Sequence, residues 1–470
     1  MSNPGAEMFW AHKTEPFSEQ VMLLDSLGEA WSYRAFSERV DEFITQLEML
    51  LPQRKALCAL IVRNMPATIV AYLACLRAGH ALILLHAGLP EDTLREICSR
   101  FRVNLLLSTS TENEHLPACE CLTTEAIELH PDLALLMSTS GSSGSPKLVR
   151  LSYRNLQANA EAIADYLSIT SSDRAITLLP LHYSYGLSVL NSHLVAGASC
   201  VVYEGSVVER RFWDTFSHLQ VTGLAGVPYT YEQLSRLRFE PKRYPHLRYM
   251  TQAGGKIPAQ LAEKFARKLN EAGKQFYLMY GQTEATARMS YLPPSSATSH
   301  PESIGIPIPG GSFHLLDEQG SLLNDSHQPG ELIYRGENVM MGYAQGYKDL
   351  AVGNTLSSLA TGDLAWRDEQ GLYYLKGRKD RVQKVLGIRI DLDDLQARMQ
   401  AQFGELACLA TDTRLQIFLE NSAISDALQH FVDTQLELPA SCIHMQCIER
   451  LPRTVNGKLD YPALAIRLEP

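Results

Sequence analysis

Residues 135–147 read Leu-Leu-Met-Ser-Thr-Ser-Gly-Ser-Ser-Gly-Ser-Pro-Lys, a composition suited to cradling a polyphosphate. Gly141 and Gly144 let the backbone turn and approach a ligand closely, while Ser138, Thr139, Ser140, Ser142 and Ser143 place small hydroxyls among free backbone N–H groups. Lys147 then supplies a positive charge. A Ser/Gly run by itself equally describes a flexible connector. Its setting favours a binding loop: an apolar run at 133–137 precedes it, Pro-Lys ends it, and a helix-like stretch at 153–166 follows.

Other short stretches carry chemistry of their own. Tyr280-Gly281-Gln282-Thr283-Glu284 follows a strand-like run at 275–279, and combines a ring able to stack on a base, a hydroxyl for a phosphate and a carboxylate for Mg²⁺. The same five residues also suit a plain turn with a surface Glu. Ala360-Thr361-Gly362-Asp363 fixes a carboxylate on a tight bend, as any solvated Gly-Asp turn would. Taken alone, residues 377–381 (Gly-Arg-Lys-Asp-Arg) are a charged linker and Lys458 is a surface cation near the C-terminus.

The elements that must position these groups alternate. Runs at 57–62, 81–85 and 103–107 are strand-like, separated by helical patterns at 65–78 and 91–101; the rhythm resumes at 175–179, 199–203, 222–227, 247–251 and 275–279, with a helix-compatible stretch at 259–271. This is the signature of βαβ units and parallel sheets, which bind ligands at the carboxyl ends of their strands. From 305 to 374 the pattern changes to short β-type runs (313–316, 331–335, 372–376) broken by Gly, Pro and Asn, and the last ninety or so residues suffice for a small α+β domain.

Composition excludes several classes. With 470 residues, 45% hydrophobic, the chain can bury a large core over more than one domain. A net charge of −10 without any Lys/Arg block gives no nucleic-acid footprint. No segment reaches the roughly 18 apolar residues of a membrane span, and the first ten lack a leader's basic start, so a cytoplasmic protein is expected. Nine scattered cysteines without Cys-x-x-Cys or Cys/His spacing argue against disulfides or structural zinc. HExxH and GxGxxG are absent. A Walker A loop is also excluded, because Pro146 stands in place of its glycine and removes a donor, and Leu148 replaces its metal-binding hydroxyl.

The loop instead resembles the phosphate loop of the adenylate-forming superfamily, which contains acyl-CoA synthetases, adenylation domains of peptide synthetases and luciferases. Residues 280–284 match its Tyr-Gly-x-Thr-Glu motif, Ala253-Gly254-Gly255 its Gly-rich turn, and 360–363 its Thr-Gly-Asp. Gly377-Arg378-Lys379-Asp380-Arg381 with 384–390 matches its hinge, and Pro452-Arg453-Thr454-Val455-Asn456-Gly457-Lys458 its C-terminal motif. The resemblance spans roughly residues 20 to 460 and is closest to fatty and aryl acyl-CoA synthetases. It departs at Leu148, where a glycine is usual, and at Tyr153, where a His often begins the helix.

The resemblance implies an α/β fold: a large N-terminal domain of parallel-sheet αβ layers plus a small β unit (1–377), a hinge (378–381), and a small α+β C-terminal domain (382–470). It implies that Ser138 to Gly144 and Lys147 hold ATP phosphates, that Ala253, Gly254 and Gly255 flank adenine and the acyl pocket, and that Tyr280 lies against the adenine, with Gly281 and Gln282 also among the cofactor-binding residues. Thr283 would meet the α-phosphate, Glu284 bind Mg²⁺, Asp363 accept both ribose hydroxyls, Arg378 contact ribose and phosphate, Asp380 serve as pivot, and Lys458 bridge the acid and the phosphate. The substrate is read from Pro180-Leu181-His182-Tyr183-Ser184-Tyr185-Gly186, with Gly226 as a further pocket residue. Amino-acid-activating relatives carry an Asp at the position that Ser184 fills, and an unpaired buried ammonium is costly, so an acid without an α-amino group is favoured. The implied reaction is ATP-dependent formation of acyl-AMP, then transfer to CoA or to the phosphopantetheine of a free-standing carrier protein. Two alternatives are a stand-alone amino-acid adenylation enzyme and an idle nucleotide-binding module; the latter is disfavoured because Lys147, Glu284, Asp363, Arg378 and Lys458 are all retained.

Overall fold

In a computed structural model describing residue 8 and residues 17–51, 54–110, 113–138, 147–386, 388–411, 413–435, 438–454 and 458–468, the apolar runs of the N-terminal region become parallel strands. Leu57–Val62, Ala81–His86, Leu105–Ser110 and Leu133–Ser138 pair in parallel. Nearly every side chain of the first two is buried, which is why these runs show no polar/apolar alternation. Antiparallel strands flank them: Asn113–Cys121 on one side, Leu148–Ser152 and then Gly342–Ala344 on the other.

A second sheet sets Val21–Leu24, Ser199–Val201, Arg174–Ile176, Gly223–Gly226, Tyr249–Gln252 and Gln275–Tyr280 side by side in parallel. Ala30–Ser32 flanks it antiparallel at one end, Ser290–Leu292 and Ser303–Pro307 at the other. The strand expected over 175–179 stops at Ile176. Asn64 Nδ2 donates to the carbonyls of Thr177 and Leu179 at 2.6 and 3.2 Å, and its Oδ1 accepts from Leu181 N–H at 3.1 Å, so the chain leaves the sheet and presents 180–186.

Helices cover the strands for local reasons. Pro66–Arg77 starts with proline at its first position, where the missing N–H costs nothing. Tyr153–Tyr166 starts with a reciprocal cap: Ser152 Oγ accepts from Asn155 N–H at 3.1 Å and Asn155 Oδ1 accepts from Ser152 N–H at 2.8 Å. Tyr153 is buried and its hydroxyl donates to the His80 carbonyl, so that departure from the family pattern is a packing feature.

The chain divides into two compact units. Both sheets above belong to the first, drawn from Met1–Thr139, Ser145–Phe313 and Tyr334–Leu359. The second takes in His314–Ile333 and Ala360–Pro470. In it, Leu322–Leu323, Ser312–Leu316, Gly330–Arg335, Leu359–Arg367 and Tyr373–Arg378 follow one another in sheet order, realising the short β-type runs of 305–374. A hairpin (Val382–Val385 with Ile388–Asp391) and a three-stranded sheet of Leu406–Ala410, Leu415–Leu419 and Ile443–Cys447 follow, with the helices Leu392–Phe403 and Ser425–Gln435. Val385, Leu395, Met399, Ile417, Leu428 and Val432 are among the buried side chains that join these pieces in one core. All nine cysteines are free thiols, and among the described residues no helix is long and apolar enough to cross a membrane.

Candidate active site

In the first unit the motif residues collect at the carboxyl ends of parallel strands, as an open α/β sheet requires. Ser138 ends one strand, Gly226 another, Gln252 a third and Tyr280 a fourth. Thr139, Ser140, Gly141, Ser142, Ser143 and Gly144 lie outside the described residues. Lys147, at the loop's far side, stands with its ammonium 3.9 Å from the centre of the Tyr343 ring.

After Tyr280 the chain must reverse at once. A Cβ on Gly281 would stand 1.7 Å from the Ala287 carbonyl oxygen, so no side chain fits there. Thr283–Ala285 then forms one 3₁₀ turn, and Thr286 exits it in the left-handed region at φ 65°. Gln282 Nε2 donates to the Tyr280 hydroxyl at 3.2 Å, tying the two together. Glu284 is held through its backbone, whose carbonyl accepts from Met340 N–H at 2.9 Å, and through Oε1, which accepts from the Tyr343 hydroxyl at 2.8 Å. Neither Met340 nor Tyr343 was legible as a site residue.

The stretch 180–186 meets this turn directly. Ser184 opens the buried helix Ser184–Val195, and its Oγ lies 3.3 Å from Thr283 Oγ1. Tyr183 lies against Ala253-Gly254-Gly255: a Cβ on Gly254, whose φ is +84°, would stand 2.3 Å from the Tyr183 hydroxyl. Gln252 Nε2 braces that turn from beneath, donating to the Gly255 carbonyl at 2.9 Å, and Ala253 N–H donates to the Gly226 carbonyl at 3.3 Å. His182 faces the other sheet, its ring 4.8 Å from that of His86 in an edge-on contact, and its buried Nδ1 has no hydrogen-bond partner. Burial first, and then the neighbouring His86, push the His182 pKa down to about 4, so the ring is neutral at pH 7. His86 was missed by sequence reasoning; its position as the last residue of a parallel strand was the available signal.

In the second unit, Asp363 and Arg378, 15 residues apart in sequence, are cross-strand partners. The Arg378 guanidinium lies 3.5 Å from Asp363 Oδ1 and 3.3 Å from Asp380 Oδ1, while Arg378 N–H donates to Asp393 at 2.9 Å. Asp363 is nearly buried and Asp380 exposed. Lys458 is exposed at the foot of a turn closed by Thr454 N–H donating to the Lys458 carbonyl at 2.8 Å; Val455, Asn456 and Gly457 lie outside the described residues, as does Gly387.

The donors suit a magnesium nucleotide. Mg²⁺ takes one or two carboxylates and draws its remaining ligands from phosphate and water. Glu284 supplies such a carboxylate, half-buried with one oxygen already oriented by Tyr343, and among the described residues there is no cluster of three ligating side chains that would suit a fully protein-bound ion instead.

A parallel-sheet α/β unit with these motifs at its strand ends defines a nucleotide-binding enzyme, and the chain belongs to the AMP-binding enzyme family, whose pattern matches residues 10–344. Among its relatives, 2-succinylbenzoate–CoA ligase of Bacillus pumilus is 26% identical over 96% of this chain and 95% of its own length. Tyrocidine synthase 2 of Brevibacillus parabrevis is also 26% identical over 92% of this chain, which spans only 13% of that much longer protein. Among solved structures, o-succinylbenzoate CoA synthetase of Bacillus subtilis in complex with its acyl-adenylate intermediate superposes with a TM-score of 0.80 at 21% identity, covering 97% of both chains, a likeness of fold.

Proposed function

We propose that this chain activates a carboxylic acid without an α-amino group as its acyl-adenylate, then passes the acyl group to a phosphopantetheine thiol. The carboxylate oxygen attacks the α-phosphorus of ATP and pyrophosphate leaves; the thiol sulfur then attacks the acyl carbon and AMP leaves. In the first step negative groups converge, so fixed donors and cations must stabilise the crowded phosphorus. Thr283 and Lys147 serve that role on the first unit, Lys458 on the second, with Glu284 holding Mg²⁺, which offsets phosphate charge when bound. Tyr280 and Gln282 hold the adenine, Asp363 and Arg378 the ribose, and Asp380 is the pivot that exchanges the two half-reactions.

The observation that carries this reading is the 3.3 Å approach of Ser184 Oγ to Thr283 Oγ1, which joins the acid-selecting stretch to the phosphate motif. His182, Tyr183 and Gly226 then line the acid's side of the cleft. The acceptor is CoA or a free-standing carrier protein, in keeping with relatives named CoA ligases and peptide synthases. Nine free thiols suit the reducing cytoplasm. The test is carboxylate-dependent exchange of labelled pyrophosphate into ATP over a panel of fatty, aryl, dicarboxylic and amino acids. Exchange with a non-amino acid supports the reading; preference for amino acids overturns the role given to Ser184, and no exchange with any acid overturns the activity.

A further inference from the structure

We infer that Tyr343 is a positioning residue that keeps the cation of Lys147 and the carboxylate of Glu284 apart, each preset for MgATP. This rests on the reading of those two residues given above. Tyr343 touches both: its ring lies beneath the Lys147 ammonium at 3.9 Å and its hydroxyl donates to Glu284 Oε1 at 2.8 Å. Yet no ion pair joins Lys147 to Glu284. A cation and a carboxylate sharing one neighbour would otherwise neutralise each other, and that pair would have to break before a phosphate and a metal could take its members. A phenol solves both problems, because its π-face attracts the ammonium while its O–H orients the carboxylate without adding charge.

The placement of Tyr343 is built, not incidental. Gly342–Ala344 pairs antiparallel with Leu148–Ser152, the strand that begins directly after Lys147, with Tyr343 opposite Val149. Arg150, only 2% exposed, spends its guanidinium on this segment, donating to the carbonyls of Met341 at 3.1 Å and Tyr343 at 3.2 Å and to that of Val352. Thr355 Oγ1 also donates to the Met341 carbonyl at 2.9 Å, and Met340 N–H holds the Glu284 backbone at 2.9 Å. The lysine, the glutamate and the tyrosine are therefore fixed to one another through the backbone. Tyr343 remains 37% exposed, so its ring is not spent on core packing.

The test is calorimetric titration of ATP into the purified enzyme, with Mg²⁺ and in its absence, beside thermal melts. Tyr343→Phe keeps the ring and loses only the hydroxyl that orients Glu284. It is expected to weaken MgATP binding about tenfold, the worth of a hydrogen bond to a charged group, while leaving metal-free ATP binding and the melting temperature as in wild type. Tyr343→Leu removes the ring as well and is expected to weaken metal-free ATP too. Unchanged MgATP binding in Tyr343→Phe, or equal weakening with and without the metal, overturns the inference. Lys147→Ala and Glu284→Gln separate it from the underlying reading: if they weaken MgATP while Tyr343→Phe does not, only the inference falls; if neither weakens it, both fall.

Discussion

At the scale of the residue, the proposed choice of substrate class rests on Ser184. It is buried, it opens a helix whose first N–H groups favour negative charge, and its hydroxyl is neutral. A carboxylate there would repel an incoming acid and would attract an ammonium. Ser184→Asp is therefore expected to lower pyrophosphate exchange with the preferred acid by at least about tenfold, and to raise relative exchange with α-amino acids; unchanged ranking across the panel would count against the assignment. Lys147, Thr283, Glu284, Asp363 and Arg378 could be singled out because each sits in a short contiguous stretch that matches a family motif, though the residue types alone also suit a turn or a charged linker. Tyr343 could not be, because its place depends on an antiparallel register with Val149, across nearly two hundred residues of chain. His86 was hidden similarly: nothing near it in sequence names His182 as its neighbour.

At the scale of the element, Asn338 shows how one side chain fixes a functional turn. Buried at 3% exposure, its Nδ2 donates to the carbonyls of Ala285 at 2.8 Å and Arg288 at 3.2 Å, while its own carbonyl accepts from Thr286 Oγ1 at 2.7 Å. Asn338→Ala strands the buried Ala285 carbonyl and the Tyr334 hydroxyl, which donates to Asn338 Oδ1 at 2.9 Å, while the Arg288 carbonyl keeps its bond from Asn159 Nδ2 at 2.9 Å; it should cost about 2–3 kcal/mol in denaturant unfolding, with exchange activity falling as the turn of Thr283 and Glu284 loosens. The helix Ser184–Val195 carries a second test. Its buried His193 donates Nδ1–H to the Val189 carbonyl at 2.8 Å, and its Nε2 lies 3.0 Å from the Tyr249 hydroxyl, from which a neutral ring accepts. Burial pushes its pKa from 6.5 to about 4. The unfolded chain then binds a proton that the folded chain refuses, so this stabilisation is complete above about pH 6.5 and is lost as pH falls to about 4, up to about 3 kcal/mol. Unfolding of wild type and His193→Asn at pH 7.5 and 4.5 should show a smaller acid loss in the variant; equal losses would refute it. The same helix marks the limit of pattern reading. Every residue from Ser184 to Leu194 is buried, so no polar stripe announced it, whereas the helix Glu91–Phe101, with one buried face, matched its expected bounds. Short strands such as the edge strand Gly342–Ala344 and its neighbour Leu148–Ser152 escaped too, since three to five residues show no period.

At the scale of the whole molecule, the proposed chemistry draws on groups that the chain distributes between its two units. Lys147, Thr283 and Glu284 belong to the first; Asp363, Arg378, Asp380 and Lys458 belong to the second. The halves of the reaction differ in what they ask of Lys458. Adenylation gathers a carboxylate and a polyphosphate and needs an added cation, whereas thioester formation begins from an acyl-adenylate whose pyrophosphate has gone. Lys458 stands exposed on a small turn, where replacement leaves the surrounding core intact. Lys458→Ala is therefore expected to slow acid-dependent pyrophosphate exchange on the order of 10²–10³-fold, the size of a lost transition-state donor. Thioester formation from supplied acyl-adenylate and thiol should stay near the wild-type rate. Asp380→Pro is expected to reverse the pattern, because fixing φ at the proposed pivot resists the change between half-reactions. Paired assays on the two variants thus cross, one losing the first half and the other the second. Parallel losses in both would mean that a single arrangement of the chain carries out both steps, and Asp380 would lose its role as pivot.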